Sequence, residues 1–238
     1  ISFSGKEESI IKKDFEKLSK EEIEEFITKL RVLNLELKEK QTKKFLLNDR
    51  DKIQNIIDSL KDIKKIKKFA PEQFEKIITE ALKIINDEIK IKPNYPVDDS
   101  GEPISHASGN KPDIECYYKS YNAICEVTLD TSNFQWIRES QPVMRHLRDF
   151  EIKFSNTNNY CLFISPKIHI DTLYHFWTSI KHGYNGETQK IIPLTTEQFA
   201  MLLETLLTLI KKGKRFLHTD IEKLYKKIIL KTTEVKGH

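Results

Sequence analysis

Cysteine, glycine and methionine are scarce in this chain, and long apolar runs are absent. Across 238 residues there are three cysteines, seven glycines and two methionines. Cys116, Cys125 and Cys161 are odd in number, sit in apolar or strand-like surroundings and lack CxxC spacing. They read as reduced core residues, not as a disulfide framework or zinc ligands. No stretch of about 18 apolar residues exists, and no charged n-region with an apolar h-region opens the chain. A helical membrane span and secretion are therefore not expected, and the composition suits a bacterial-type cytoplasmic protein. The few glycines form no GxxxxGK[ST], GxGxxG or GxSxG. Nucleotide-binding and serine-hydrolase readings thus lack their phosphate or oxyanion devices.

What the chain does contain changes character along its length. Residues 6–68 hold no proline, and their Phe15, Leu18, Ile23, Phe26, Ile27, Leu30 and Leu33 recur at helical spacing, as do Ile53, Ile56, Ile57, Leu60 and Ile63. Ser19 with Glu22 makes a capping box for a helix beginning near Lys20. Residues 1–68 are expected to form a helical linker or small helical subdomain, with a dimerisation surface as the alternative. From Ala70 the pattern turns mixed. Pro71 opens a helix whose buried stripe, Phe74, Ile77, Ile78, Ala81 and Leu82, carries Glu75 on its flank. A loop is expected from Lys92 to Pro103, strands at Tyr160–Ile164 and Ile191–Leu194, and helices from Asp171, from Thr195 or Thr196, and from His218. His169, Asp171 and His175 approach metal-ligand spacing but lie among aromatics, which favours a core or surface role.

The densest signal is Gly109-Asn110-Lys111-Pro112-Asp113-Ile114-Glu115, followed by Ile124-Cys125-Glu126-Val127-Thr128-Leu129. It reads as a β-hairpin with two acids. Strand alternation puts Asp113, Glu115 and Tyr117 on one face, and Glu126 and Thr128 on one face of the next strand. Asp113 and Glu126 would then converge on one cleft, a pairing that suits a hard divalent cation. The plainer reading makes Asp113 a turn residue and Glu126 part of a solvated face. Downstream, at about 100° per residue, Gln135, Glu139 and His146 fall within roughly 40° of one another if the helix is continuous. Arg138, Arg145 and Arg148 stand nearby, suited to phosphates. Pro142 is the point at which that helix would split.

The ordered set Lys111-Pro112-Asp113-Ile114, Cys125 to Leu129, Gln135, Glu139 and Pro142-Val143-Met144-Arg145-His146-Leu147 resembles the catalytic region of the AlwI-type type IIS restriction endonucleases. Their relatives include MlyI, PleI and several strand-nicking enzymes, within the PD-(D/E)xK nuclease superfamily. The resemblance is densest from about Pro71 to Phe150. It implies an α/β fold, a mixed β-sheet flanked by helices, over residues 69–238. It also implies that Asp113 and Glu126 bind metal, with the Val127 carbonyl as a backbone ligand. Glu75 resembles the acid supplied by a preceding helix, with Glu80 as its substitute, and Glu139 and His146 resemble an additional catalytic pair. The superfamily lysine is missing, since Thr128 stands two residues after Glu126.

The function so implied is a Mg²⁺-dependent DNA endonuclease, with Mn²⁺ able to substitute, that hydrolyses one strand of double-stranded DNA per site. Cutting both strands would need a second nuclease copy or a partner subunit. The net charge of only +4 fits a cleavage module delivered to DNA by something else, because phosphate contacts supply much of the affinity of unaided binders. With Ile1 at the start, an upstream recognition region missing from this chain is expected. The alternatives are a repair or mobile-element nuclease of the same superfamily, and a non-catalytic interaction module with vestigial carboxylates.

Overall fold

The computed structural model describes residues 19–48, 50–84, 87–212 and 217–235. Phe15 and Leu18 of the expected helical stripe lie outside them. Two compact units emerge, Ile1–Lys44 and Phe45–His238. Helix α1 (Lys20–Asn48), whose last four residues fall in the second, starts at the capping box expected there: the Glu22 amide donates to Ser19 Oγ and the Ser19 amide to Glu22 Oε2. Its Ile27, Leu30, Leu33 and Leu37 are exposed.

The second unit is built on a five-stranded mixed sheet in the order β1 (Lys90–Pro93), β2 (Ile114–Tyr117), β3 (Tyr121–Val127), β4 (Asn158–Ser165) and β5 (Ile191–Thr195). The first three strands run antiparallel, while β4 and β5 each pair in parallel with the strand before. Those parallel steps enclose helices α5 (Gln141–Lys153) and α6 (Ile170–His182), as crossover connections require. This is the mixed sheet flanked by helices expected from the sequence.

Apolar side chains cover both faces. On one, Ile114, Cys116, Ala123, Cys125, Leu162 and Ile164 pack with α2 (Arg50–Lys61), the short α3 (Ile63–Ile66), α4 (Pro71–Lys83), α7 (Thr196–Lys211) and α8 (His218–Glu234). On the other, Ile124, Cys161, Phe163 and Ile191 pack with Val143, Leu147 and Phe150 of α5 and Phe176 and Ile180 of α6. Strand β3 is accordingly buried along nearly its whole length, the pattern of a strand covered on both sides. The sequence reading divides the chain after residue 68; the compact units divide after Lys44, because Ile53, Ile56, Ile57 and Leu60 join the core that holds Phe199 and Leu203.

Three further outcomes concern local chemistry. All three cysteines are buried and free. The expected Lys92–Pro103 loop begins two residues into a strand instead, since β1 spans Lys90–Pro93 at the sheet edge. An edge position tolerates a proline because no ladder donor is needed on its outer side. Thr195 caps α7: its Oγ1 accepts from the Gln198 amide, and Gln198 Oε1 accepts from the Thr195 amide. Among the described residues no helix is long and apolar enough to cross a membrane.

Candidate active site

The acidic residues converge where β3 ends. Paired register of β2 and β3 sets Ile114 opposite Cys125, so Asp113, one residue before β2, stands opposite Glu126 and on the same face. Asp113 Oδ2 accepts from the Val127 amide at 2.8 Å. Glu75 reaches in from α4, buried, with both oxygens accepting from the Ala107 amide at 3.0 and 3.3 Å. Helix α4 points that way because Pro71 sets its first turn and Gln73 Oε1 accepts from the Ala70 amide.

Glu139 and His146 arrive from the other side of the sheet. A π-helical turn, Trp136–Ser140, leads into α5. Pro142 lacks the amide that an α-helix would donate to the Arg138 carbonyl, and the wider turn accommodates that loss. The turn also breaks the helical phase on which Gln135 was expected to join Glu139 and His146. Gln135 is fully buried elsewhere: its amide nitrogen donates to the Asp130 and Lys167 carbonyls and to Ser165 Oγ, and its Oε1 accepts from the His169 amide. It braces the loop and does not line the cleft.

Glu75, Asp113, Glu126, Val127, Glu139 and His146 all line one open cleft of about 460 Å³. Glu80 lies in a separate groove with Glu72 and Lys76. Glu139 and His146 are bonded to different partners and not to each other. Thr128 Oγ1 donates to Glu139 Oε1 at 2.7 Å, so the residue two positions after Glu126 holds the acid of the π-helical turn. His146 Nδ1 is 2.8 Å from Glu126 Oε1, and Nε2 is 3.2 Å from the Gly109 carbonyl. A carbonyl only accepts, so Nε2 carries a proton and Nδ1 faces the carboxyl.

The electrostatics follow from crowding. Burial, then Glu126 and Glu75, hold the Asp113 carboxyl well above its ordinary range. Burial does the same for Glu126, with Glu139 and Glu75 adding to it. Glu75 is pushed up to about 6, chiefly by burial and against the Ala107 amide and His106. Burial raises Glu139 as well, opposed by the Thr128 hydroxyl, and lowers His146. A neutral Glu126–His146 pair, with the carboxyl proton pointing at Nδ1, satisfies both shifts.

Carboxylates crowded together and pushed toward neutrality suit a hard divalent cation, which would offset their repulsion; the oxygen-only set of Glu75, Asp113, Glu126 and the Val127 carbonyl suits it as well. Among the described residues no three His, Cys, Asp or Glu side chains stand at ligating spacing. Glu126 and Asp113 each commit one oxygen, to His146 and to the Val127 amide. His106, Lys111 and Arg138 also line the cleft. His106 carries no sequence signal, because it comes in on a loop with no periodicity. Elsewhere, His169 Nδ1 caps α6 by accepting from the Asp171 amide, and His175 stacks on Trp136 at 4.9 Å, which leaves no zinc-like cluster there.

Comparison with known proteins gives the family and the fold. The family model described as AlwI restriction endonuclease matches residues 5–202. The chain belongs to the AlwI restriction endonuclease family. No curated protein matches at a significant level. Among solved structures, this AlwI-family chain is similar to the small subunit of the heterodimeric restriction endonuclease R.BspD6I, with a TM-score of 0.64 and 26% identity over 76% of this chain and 90% of that one. Membership makes the protein a DNA endonuclease of the restriction type, and the cleft at the end of β3 is its candidate active site.

Proposed function

We propose that this AlwI-family protein is the catalytic part of a type IIS or nicking endonuclease, built on a PD-(D/E)xK-type site, that uses Mg²⁺ to hydrolyse one strand of double-stranded DNA per site. The observation that carries the reading is the meeting of Glu75, Asp113, Glu126, Glu139 and His146 in one cleft, although they come from separate elements. Glu75, Asp113, Glu126 and the Val127 carbonyl would hold the ion. When bound, Mg²⁺ or Mn²⁺ neutralises charge on the phosphate and lowers the pKa of a water.

The chain's own residues do the rest. Glu126 must ionise to act as a ligand, and its proton has an acceptor already in place at His146 Nδ1, whose ring is fixed by the Gly109 carbonyl. Glu139 uses Oε1 on Thr128, which leaves Oε2 to orient the attacking water. Its raised pKa makes it a stronger base than an exposed glutamate. Lys111 and Arg138 on the cleft wall, with exposed Arg145 on the same helix as His146, draw in phosphates. The small net charge favours delivery by a recognition region or partner, and the likeness to one subunit of a heterodimeric enzyme supports a second subunit, or a second copy, for the other strand.

The test is supercoiled plasmid incubated with the protein and Mg²⁺ or Mn²⁺, beside Glu126→Gln and an EDTA control. Open-circular product that vanishes in both controls is expected, together with a saturable rise in Tm of a few degrees on adding the metal. Intact plasmid with no metal-dependent stabilisation would turn the reading to a non-catalytic interaction module.

A further inference from the structure

Against the cleft-lining Arg138 stands an aromatic side chain, Phe134, that this chemistry leaves unused. Phe134 is 52% exposed, and Ile137, three residues on, is 54% exposed, although the turn that bears them is firmly built. Asp130 Oδ1 accepts from the Ser132 amide at 2.8 Å, and Ser132 Oγ from the Phe134 amide at 3.2 Å. Gln135, next in the chain, is anchored by the four hydrogen bonds already described. A turn held so rigidly has fixed its aromatic outward, where water is the only solvent for it.

Arg138 joins this ring to the site. Its guanidinium carbon lies 5.7 Å from the Phe134 centroid, and its Nη1 lies 3.2 Å from Asp130 Oδ2. Its side chain is 66% exposed and also lines the cleft beside Glu139. A cation spread over an aromatic face, continuous with a cleft that accepts a phosphate, matches one repeating unit of a nucleic-acid strand: a base with its π face and a phosphate one step along.

Resting on the nuclease reading above, we infer that Phe134 and Arg138 grip the DNA strand beside the scissile phosphate, with the ring wedged against a neighbouring base step of the duplex and the guanidinium on a flanking phosphate. Ile137 extends the apolar contact. Arg138 then exchanges Asp130 for the phosphate, a swap that costs little because its side chain is already mostly solvated.

The test uses the full chain in an Asp113→Asn background, which stops cutting and relieves repulsion of phosphates, with a mixed-sequence duplex. Phe134→Ala is expected to weaken binding roughly tenfold with Tm unchanged, and Phe134→Tyr to bind like the parent. In Phe134→Trp, added DNA is expected to quench emission beyond any change shown by Trp136 and Trp177 in the parent. Unchanged affinity of Phe134→Ala, or an emission that saturating DNA leaves untouched, overturns the proposal. A chain with native Asp113 that cuts plasmid while Phe134→Ala cuts and binds equally well sinks the grip alone; a native chain that neither binds nor cuts sinks the nuclease reading with it.

Discussion

Thr128 shows how one residue decides the geometry of this site. Two positions after Glu126, a lysine would bring its own positive charge to the cleft; the threonine brings a hydroxyl that donates to Glu139 and accepts from the Asp130 amide at 3.1 Å. It therefore ties the acid of the π turn to the end of β3. Replacing it by valine keeps the volume and removes the tie. Thr128→Val is expected to lower kcat for plasmid nicking roughly tenfold to hundredfold with KM little changed, because Glu139 is then free to rotate away from the water. Thr128→Ser should restore most of the rate, and a valine variant as fast as the parent would show that Glu139 needs no positioning. Strand faces made Asp113 and Glu126 legible as a convergent pair, and helical spacing put Glu139 and His146 on one edge. Glu75 and the roles of the Glu139 and His146 pair came from the family resemblance alone. Their partners were not legible. Spacing places Glu139 and His146 on related faces but says nothing of whether they bond each other, and the hydrogen bonds instead run to Thr128 and to Glu126.

Among the elements, the clearest in sequence were those with one dominant periodicity. Strands β2 and β3 alternate or run apolar between turn residues, and α4 carries its stripe behind Pro71, so each is where the pattern puts it. Strand β1 was hidden because only Ile91 of its four residues is buried, too short a pattern to read beside Pro93. The π turn was hidden for a different reason: it is a change in hydrogen-bond register, not in hydrophobic order. Its consequence falls on Gln135, which leaves the cleft and becomes the pin of the loop bearing Phe134 and Arg138. Gln135→Leu would leave the His169 amide without the acceptor it has now, and the Asp130 and Lys167 carbonyls with only the one Ser165 hydroxyl proton to share. The expected cost is about 3 kcal/mol, less than the sum of such losses because the loop can relax to water. Urea unfolding at constant m-value would measure it, and a midpoint like the parent's would show that the loop is held by packing alone.

At the scale of the molecule, the described residues form an acidic cleft at the end of β3, and on the function proposed above that site would face a duplex with two antiparallel strands. On that reading, a cleft that positions a water for one phosphate would have to release and reorient to reach the partner strand's phosphate, because Glu75, Glu126 and His146 are fixed to α4, β3 and α5. The time course on supercoiled plasmid should therefore show open circles accumulating first. Linear DNA is expected to appear only later, with a rate that rises more steeply than linearly with protein concentration, or promptly when a partner that cuts the other strand is added. This kinetic order follows from site count and not from the strength of DNA binding, so it survives changes of salt that alter affinity through phosphate contacts. Open circles and linear molecules forming together from the first minutes, at a rate proportional to protein, would mean that one chain cuts both strands in one encounter. That result would require the cleft to take up the second strand before the first is released, and the fixed attachment of its acids to the sheet argues against it.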